Sequence, residues 1–227
     1  MSTRFRRALS GAVCVLVAPL IGAAPAGAAK VVNGAFERGN LSGWEKHYFP
    51  SQKSPYGIWR AYTGPFLPGP MRGPAPAVPA PPQGEFGAVT EQENPSVQIL
   101  SQVVSLKPDR RHKLRFKLAY FNQNGATPRG PGPDGFITPN SLVLGQPNQQ
   151  FRMDVMKPGA GIRAMGGAVL DRVYRTEVGD ADQKGYGPVA ANLTPYAGKE
   201  VRLRFAVAVT EAPLYAGIDA VKVRTRR

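Results

Sequence analysis

Two stretches of the chain alternate strictly between apolar and polar positions. Leu114, Phe116, Leu118 and Tyr120 are interleaved with Lys113, Arg115, Lys117 and Ala119. Val201, Leu203, Phe205, Val207 and Val209 are interleaved with Arg202, Arg204, Ala206 and Ala208. A period of two over this length predicts strands with one face in a core and the other in water. Weaker alternation runs from Val97 to Val104, from Phe151 to Val155 and from Val169 to Thr176. No segment carries a long helical period. Only Thr194-Pro195-Tyr196-Ala197-Gly198 predicts a helical turn, with Thr194 as N-cap and Gly198 as terminator. Strands separated by Gly, Pro, Asn and Asp clusters predict an all-β antiparallel sandwich.

Two stretches interrupt the pattern. Residues 64–83 hold eight prolines and predict a polyproline-like loop, and residues 125–135 form a second aperiodic loop. At the front, Arg4, Arg6 and Arg7 precede an apolar run, and Ala26-Gly27-Ala28 resembles a cleavage site. Residues 1–29 therefore read as a cleaved signal peptide, leaving residues 30–227 as one exported β-sandwich domain with no membrane span. The only cysteine, Cys14, lies in that leader, so no disulfide or thiolate metal site is expected after it.

Charge narrows the partners. The chain carries 29 Lys and Arg against 15 Asp and Glu. Removing Arg4, Arg6 and Arg7 with the leader leaves 26 against 15, a net charge of +11. That surplus suits anionic wall polymers, acidic polysaccharide or lipid headgroups. Lys113, Arg115 and Lys117 share one outward face, and Arg202 and Arg204 share another. If the two strands are neighbours, these five form one polyanion-binding stripe. Nucleic acid is not expected, because no nucleic-acid motif is present. No nucleophile elbow, histidine metal motif or phosphate loop appears either, so catalysis is not expected.

The ends carry the most specific motifs. Asn33-Gly34-Ala35-Phe36-Glu37, followed by Gly39 and by Gly43-Trp44, opens the domain, and Gly217-Ile218-Asp219-Ala220-Val221-Lys222-Val223 closes it. These resemble the exported jelly-roll sandwiches of the galactose-binding-like superfamily, which includes many carbohydrate-binding modules. The resemblance implies a jelly-roll fold and a polysaccharide or cell-wall glycan as ligand; a monomer is expected. The resemblance also implies a structural calcium ion with Glu37 and Asp219 as ligands. Oxygen-only ligands suit calcium. The alternative is that each carboxylate is satisfied by arginine or by backbone N–H groups. Asp219 is read here on the same face as Val221 and Val223, where an unpaired carboxylate is costly.

Sugar sites often set exposed aromatic rings beside amides. Trp44 is expected in the core, whereas Trp59, near Tyr56 and Tyr62, is expected as a partly exposed platform. Tyr120, Asn122 and Gln123 end a strand at the second loop and offer ring and amide groups together. The expected carbohydrate-binding set is Trp59, Tyr62, Tyr120, Asn122 and Gln123, with capping of the core as the alternative role.

Overall fold

The structure, a computed structural model of the 227-residue chain, describes residues 30–50, 58–66, 78–90, 95–122, 149–177, 179–209 and 214–227. The expected signal peptide, Gln123 and the loop at 125–135 lie outside the described residues, as does much of the proline-rich loop.

Ten strands are described: β1 (Glu45–Pro50), β2 (Trp59–Tyr62), β3 (Gly87–Thr90), β4 (Ser96–Ser105), β5 (Arg111–Asn122), β6 (Gln150–Met156), β7 (Val169–Arg175), β8 (Gln183–Asn192), β9 (Glu200–Val209) and β10 (Leu214–Arg226). They form two five-stranded antiparallel sheets, β1-β4-β9-β6-β7 (sheet A) and β2-β3-β10-β5-β8 (sheet B). This is the all-β antiparallel sandwich that the alternation predicts, in the jelly-roll form that the resemblance implies. The predicted helical turn is a 3-10 turn over Thr194–Tyr196. Thr194 is not its cap: the Thr194 hydroxyl accepts the His112 amide at 3.0 Å, and Gly198 ends the turn at φ +78°.

The inward residues of both alternating strands meet in one core. Leu114, Phe116, Leu118 and Tyr120 of β5 face Val201, Leu203, Phe205 and Val207 of β9, with the Phe116 and Phe205 rings edge to face at 5.1 Å. The opening motif closes one end of this core. Phe36, Leu41 and Trp44 are buried, the Trp44 indole N–H donates to the Asn33 carbonyl at 3.1 Å, and Gln102 binds the backbone of Val32 and Gly43. Gly34 is required here, because a Cβ would stand 2.0 Å from the Val221 carbonyl where this segment crosses β10.

Sheet A differs from expectation on its outer face. Arg204 does not face water. It is fully buried and donates to Asp154 Oδ2 at 2.7 and 3.2 Å, while Arg152 grips the same carboxylate from within β6. The reason is a strap, residues 157–168, folded over that face. Ile162 and Met165 of the strap pack on Val97, Ile99, Ala206 and Ala208. Arg204 Nη1 donates to the carbonyls of Ile162 and Ala164, both at 2.8 Å, and Arg202 Nη1 donates to that of Ala160 at 2.6 Å. Arg202 and Arg204 thus fasten a loop.

Among the described residues Asp154 is the only carboxylate in this buried set, so losing it removes the counter-charge that two buried guanidinium groups share. Asp154→Ala should cost about 3–5 kcal/mol of stability, read as a fall in the urea midpoint at neutral pH. A cost below about 1 kcal/mol would show that the two arginines are satisfied without it.

Candidate functional site

The outer face of sheet B is set by a defect in β10. Asp219 pairs with Lys117, but the next paired residue, Lys222, lies opposite Arg115, so β10 holds one residue more than β5 between these points. Ala220 takes the strain at φ +53°. A one-residue bulge exchanges the two faces of the strand beyond it. Before it, Ala216 and Ile218 point into the core; after it, Val221 and Val223 do. Lys222, Arg224 and Arg226 therefore point outward.

Their cross-strand partners are cationic as well. Lys222 lies opposite Arg115, Arg224 opposite Lys113, and Arg226 opposite Arg111. All six are exposed, and Lys117 follows in the same row, half-buried. None of the seven forms an ion pair with a carboxylate among the described residues. Positions two apart on one strand recur every ~6.8 Å, and adjacent strands lie ~4.8 Å apart. The result is a double row of positive charge along one sheet face.

The neighbouring edge strand supplies a low floor. Pro188, Ala190 and Asn192 of β8 stand opposite Lys117, Arg115 and Lys113. Beside the tall cationic side chains these small residues leave two adjoining depressions of about 580 and 250 Å³, which share Lys113, Arg115, Ala190 and Arg224. His112 lines the larger one but is itself buried, with its ring nitrogens against Thr225 Oγ1 at 3.1 Å and the Lys107 carbonyl at 2.8 Å.

The expected five-residue stripe is therefore corrected. Lys113, Arg115 and Lys117 lie on the open face of sheet B, whereas Arg202 and Arg204 belong to sheet A beneath the strap. Their places are taken by Lys222, Arg224 and Arg226, with Arg111 added. The alternation Lys222-Val223-Arg224-Thr225-Arg226 is the sequence signal that marks these residues.

The expected aromatic platform is corrected too. Trp59 is 1 % exposed and points between the sheets in the main core. Tyr62 lies on the outer face of sheet B, but Phe66 and Val78 cover it, and its hydroxyl donates to the Pro79 carbonyl at 2.7 Å. Tyr186 shares that hydroxyl, and burial pushes the ionisation of both tyrosines well upward. Tyr120 is 2 % exposed within the core, and burial raises its ionisation as well. Asn122 is fully buried and accepts from Gln149 Nε2 at 2.9 Å. These residues cap and fill the sandwich.

Asp219 is not on the apolar face with Val221 and Val223, as read from the sequence, because the bulge intervenes. It sits outward beside Lys117, buried where the 78–86 segment crosses the sheet. Burial pushes its carboxyl up to about 6; the amides of Ala220 and Gln83 oppose that, the nearby Glu37 charge adds to it, and Lys222 opposes it. The Ala220 amide donates to Oδ1, whereas Oδ2 is buried with no hydrogen-bond partner among the described residues. Glu37 accepts the amides of Glu85 at 3.0 Å and Phe86 at 3.3 Å. Gly84, at φ +65°, makes that turn possible, since a Cβ there would strike the Glu37 carboxylate. Among the described residues no three His, Cys, Asp or Glu side chains cluster as a metal site.

No family model and no curated relative matches the sequence. Several solved structures match in overall architecture. The Lys-gingipain K1 cleaved adhesin domain from Porphyromonas gingivalis W83 is 11 % identical, with a TM-score of 0.49 over 85 % of this chain and 96 % of that one. TmCBM61, solved with β-1,4-galactotriose, is 13 % identical, with a TM-score of 0.45 over 87 % of this chain and 99 % of that one. The enzymatically active domain of bacteriophage CBA120 tailspike protein 4 is 10 % identical, with a TM-score of 0.47 over 87 % of this chain. The match spans only 22 % of the tailspike chain.

Asp219 gives a pH signature. With its carboxyl raised from 3.8 to about 6, the folded protein keeps a proton that the unfolded chain has lost across that window. Stability should therefore fall as pH rises from about 4 to 6.5, by on the order of 3 kcal/mol from this group. In chelator-treated protein, Asp219→Asn should remove that part of the slope in urea midpoints at pH 4.5 and 7.5 and make the variant the more stable of the two at pH 7.5. Parallel pH profiles would refute the assignment.

Proposed function

We propose that this protein is a non-catalytic, exported binding protein that holds an anionic glycan polymer of the wall or extracellular kind. The face it uses is the outer face of sheet B. One observation carries this reading: three cross-strand cation pairs stand exposed with no carboxylate partner among the described residues. Like charges directly opposite one another on a sheet cost stability. A face that keeps three such pairs gives up stability that a bound polyanion would return. The small residues of β8 add room for a chain beside the cations.

The test has two readouts of opposite sign. Lys113→Gln with Arg224→Gln should weaken retention on polygalacturonate at least tenfold at about 0.05 M salt. The same variant should be more stable than the parent by about 0.2–1 kcal/mol, because the repulsion is relieved. Parent binding should itself collapse between about 0.05 and 0.5 M salt as screening shortens the reach of each charge. Retention that ignores both salt and these substitutions would overturn the reading.

A calcium ion beside Asp219 is the structural part of the proposal. It is supported by the buried Oδ2, which has no hydrogen-bond partner among the described residues, and by the second carboxylate, Glu37, close by. A cation there would favour the charged form of Asp219 that burial disfavours. Millimolar calcium should raise the melting temperature relative to chelator-treated protein, and Asp219→Asn should abolish the increment. A melting temperature indifferent to calcium would remove the ion from the proposal.

A further inference from the structure

Resting on the polyanion reading of the same face, we propose that the charges recognised there are phosphodiesters: the ligand is a linear glycopolymer in which phosphates link short polyols through a three-carbon unit. Three features of the face point to this class.

Spacing comes first. Successive outward cations on β5 and β10 recur every ~6.8 Å. Three backbone bonds of a fully extended chain span ~3.3–3.6 Å, so a repeat of six bonds spans ~6.6–7.2 Å. A phosphodiester polymer with a three-carbon linker has that repeat: two P–O bonds, two O–C bonds and two C–C bonds. One phosphate then falls at each of the pairs Arg111/Arg226, Lys113/Arg224 and Arg115/Lys222. A 1,4-linked uronan ribbon is built from stiff rings that turn successive carboxylates to alternate sides, so it cannot place each one on a flat row.

Pair composition comes second. Every one of the three pairs contains an arginine. The guanidinium fork gives two parallel N–H donors to the two non-bridging oxygens of a phosphodiester. The second cation of the first pair is another arginine, and in the other two pairs it is a lysine, which acts as a point charge on the same group.

The floor comes third. The residues beside the row are Pro188, Ala190 and Asn192, and no aromatic ring is exposed among the described residues of this face. Phe116 and Tyr186, on the same two strands, are turned into the core or under cover. Single-stranded nucleic acid shares the six-bond repeat but gains much of its affinity by stacking bases on such rings. A polyol has nothing to stack and fits a small, smooth floor.

The experiment compares three probes of matched charge number on the full chain at about 0.1 M salt, where screening leaves close contacts in place. The probes are poly(glycerol phosphate), polygalacturonate and oligothymidylate. Binding to poly(glycerol phosphate) should be at least tenfold tighter than to either of the others, a difference of about 1.4 kcal/mol. Replacing Arg111, Arg115, Arg224 and Arg226 with Lys keeps the net charge. It should cost about tenfold on poly(glycerol phosphate) and less than threefold on polygalacturonate, because the fork is lost and the charge is kept. Equal affinity for all three probes, with the lysine variant unaltered, would overturn the phosphodiester assignment and leave the polyanion reading standing. Tightest binding to oligothymidylate would give the face to nucleic acid and overturn the proposal. Binding to none of the probes, or binding unaffected by Lys113→Glu with Arg224→Glu in protein that melts cooperatively, would overturn both readings.

Discussion

The bulge between Asp219 and Lys222 is the constraint on which the layout of this sandwich depends. β10 is the central strand of sheet B, hydrogen-bonded to β3 on one side and β5 on the other. It begins with Leu214, Ala216 and Ile218 facing inward and ends with Val221 and Val223 facing inward. These two sets have opposite parity, so a regular strand could bury only one of them. The extra residue, with Ala220 in the left-handed region, lets both reach the core. The same step turns Lys222, Arg224 and Arg226 to the outside. Core packing and surface charge thus follow from one backbone irregularity.

The two outer faces of the sandwich treat cationic side chains in opposite ways. On sheet A, Arg152 and Arg204 are buried around Asp154 and capped by carbonyls of the 157–168 strap. Buried charge is tolerable there because nearly every donor meets an oxygen. On sheet B three cross-strand cation pairs stand exposed beside one another, and none of them forms an ion pair with a carboxylate among the described residues. The first arrangement fixes a loop. The second leaves its electrostatic demand for something outside the chain to meet.

Much of this was legible from alternation alone. β5 and β9 were readable because every second residue is large and apolar, and the core they form is the one their pattern requires. Trp44 and the opening motif also sit where the sequence places them, at the closed end of the core. Three of the readings that the structure corrects fail for distinct physical reasons. Unbroken parity puts Asp219 on the apolar face, but one residue is inserted between Asp219 and Lys222. The pattern of β9 puts Arg204 on the outward face, yet outward is not exposed, and nothing in β9 itself reveals the strap that Arg204 binds. Trp59 reads as a partly exposed platform because β2 is only four residues long and too short to show a period. The Lys222-Arg224-Arg226 row was the missed signal, and it becomes readable once alternation is restarted after the bulge.

The open edge of sheet B has a consequence for how copies of the molecule meet. Among the described strands β8 stands at the edge of sheet B, and such an edge would ordinarily invite another strand to dock. Gly185, Gly187 and Pro188 interrupt it, and Pro188 has no N–H to offer a partner. Beside it runs the cationic row, so an approaching copy meets charge of its own sign. Crowded on a surface, such molecules would spread apart rather than clump, and a long polymer of opposite sign could be lined by many of them at regular intervals without any one copy touching the next.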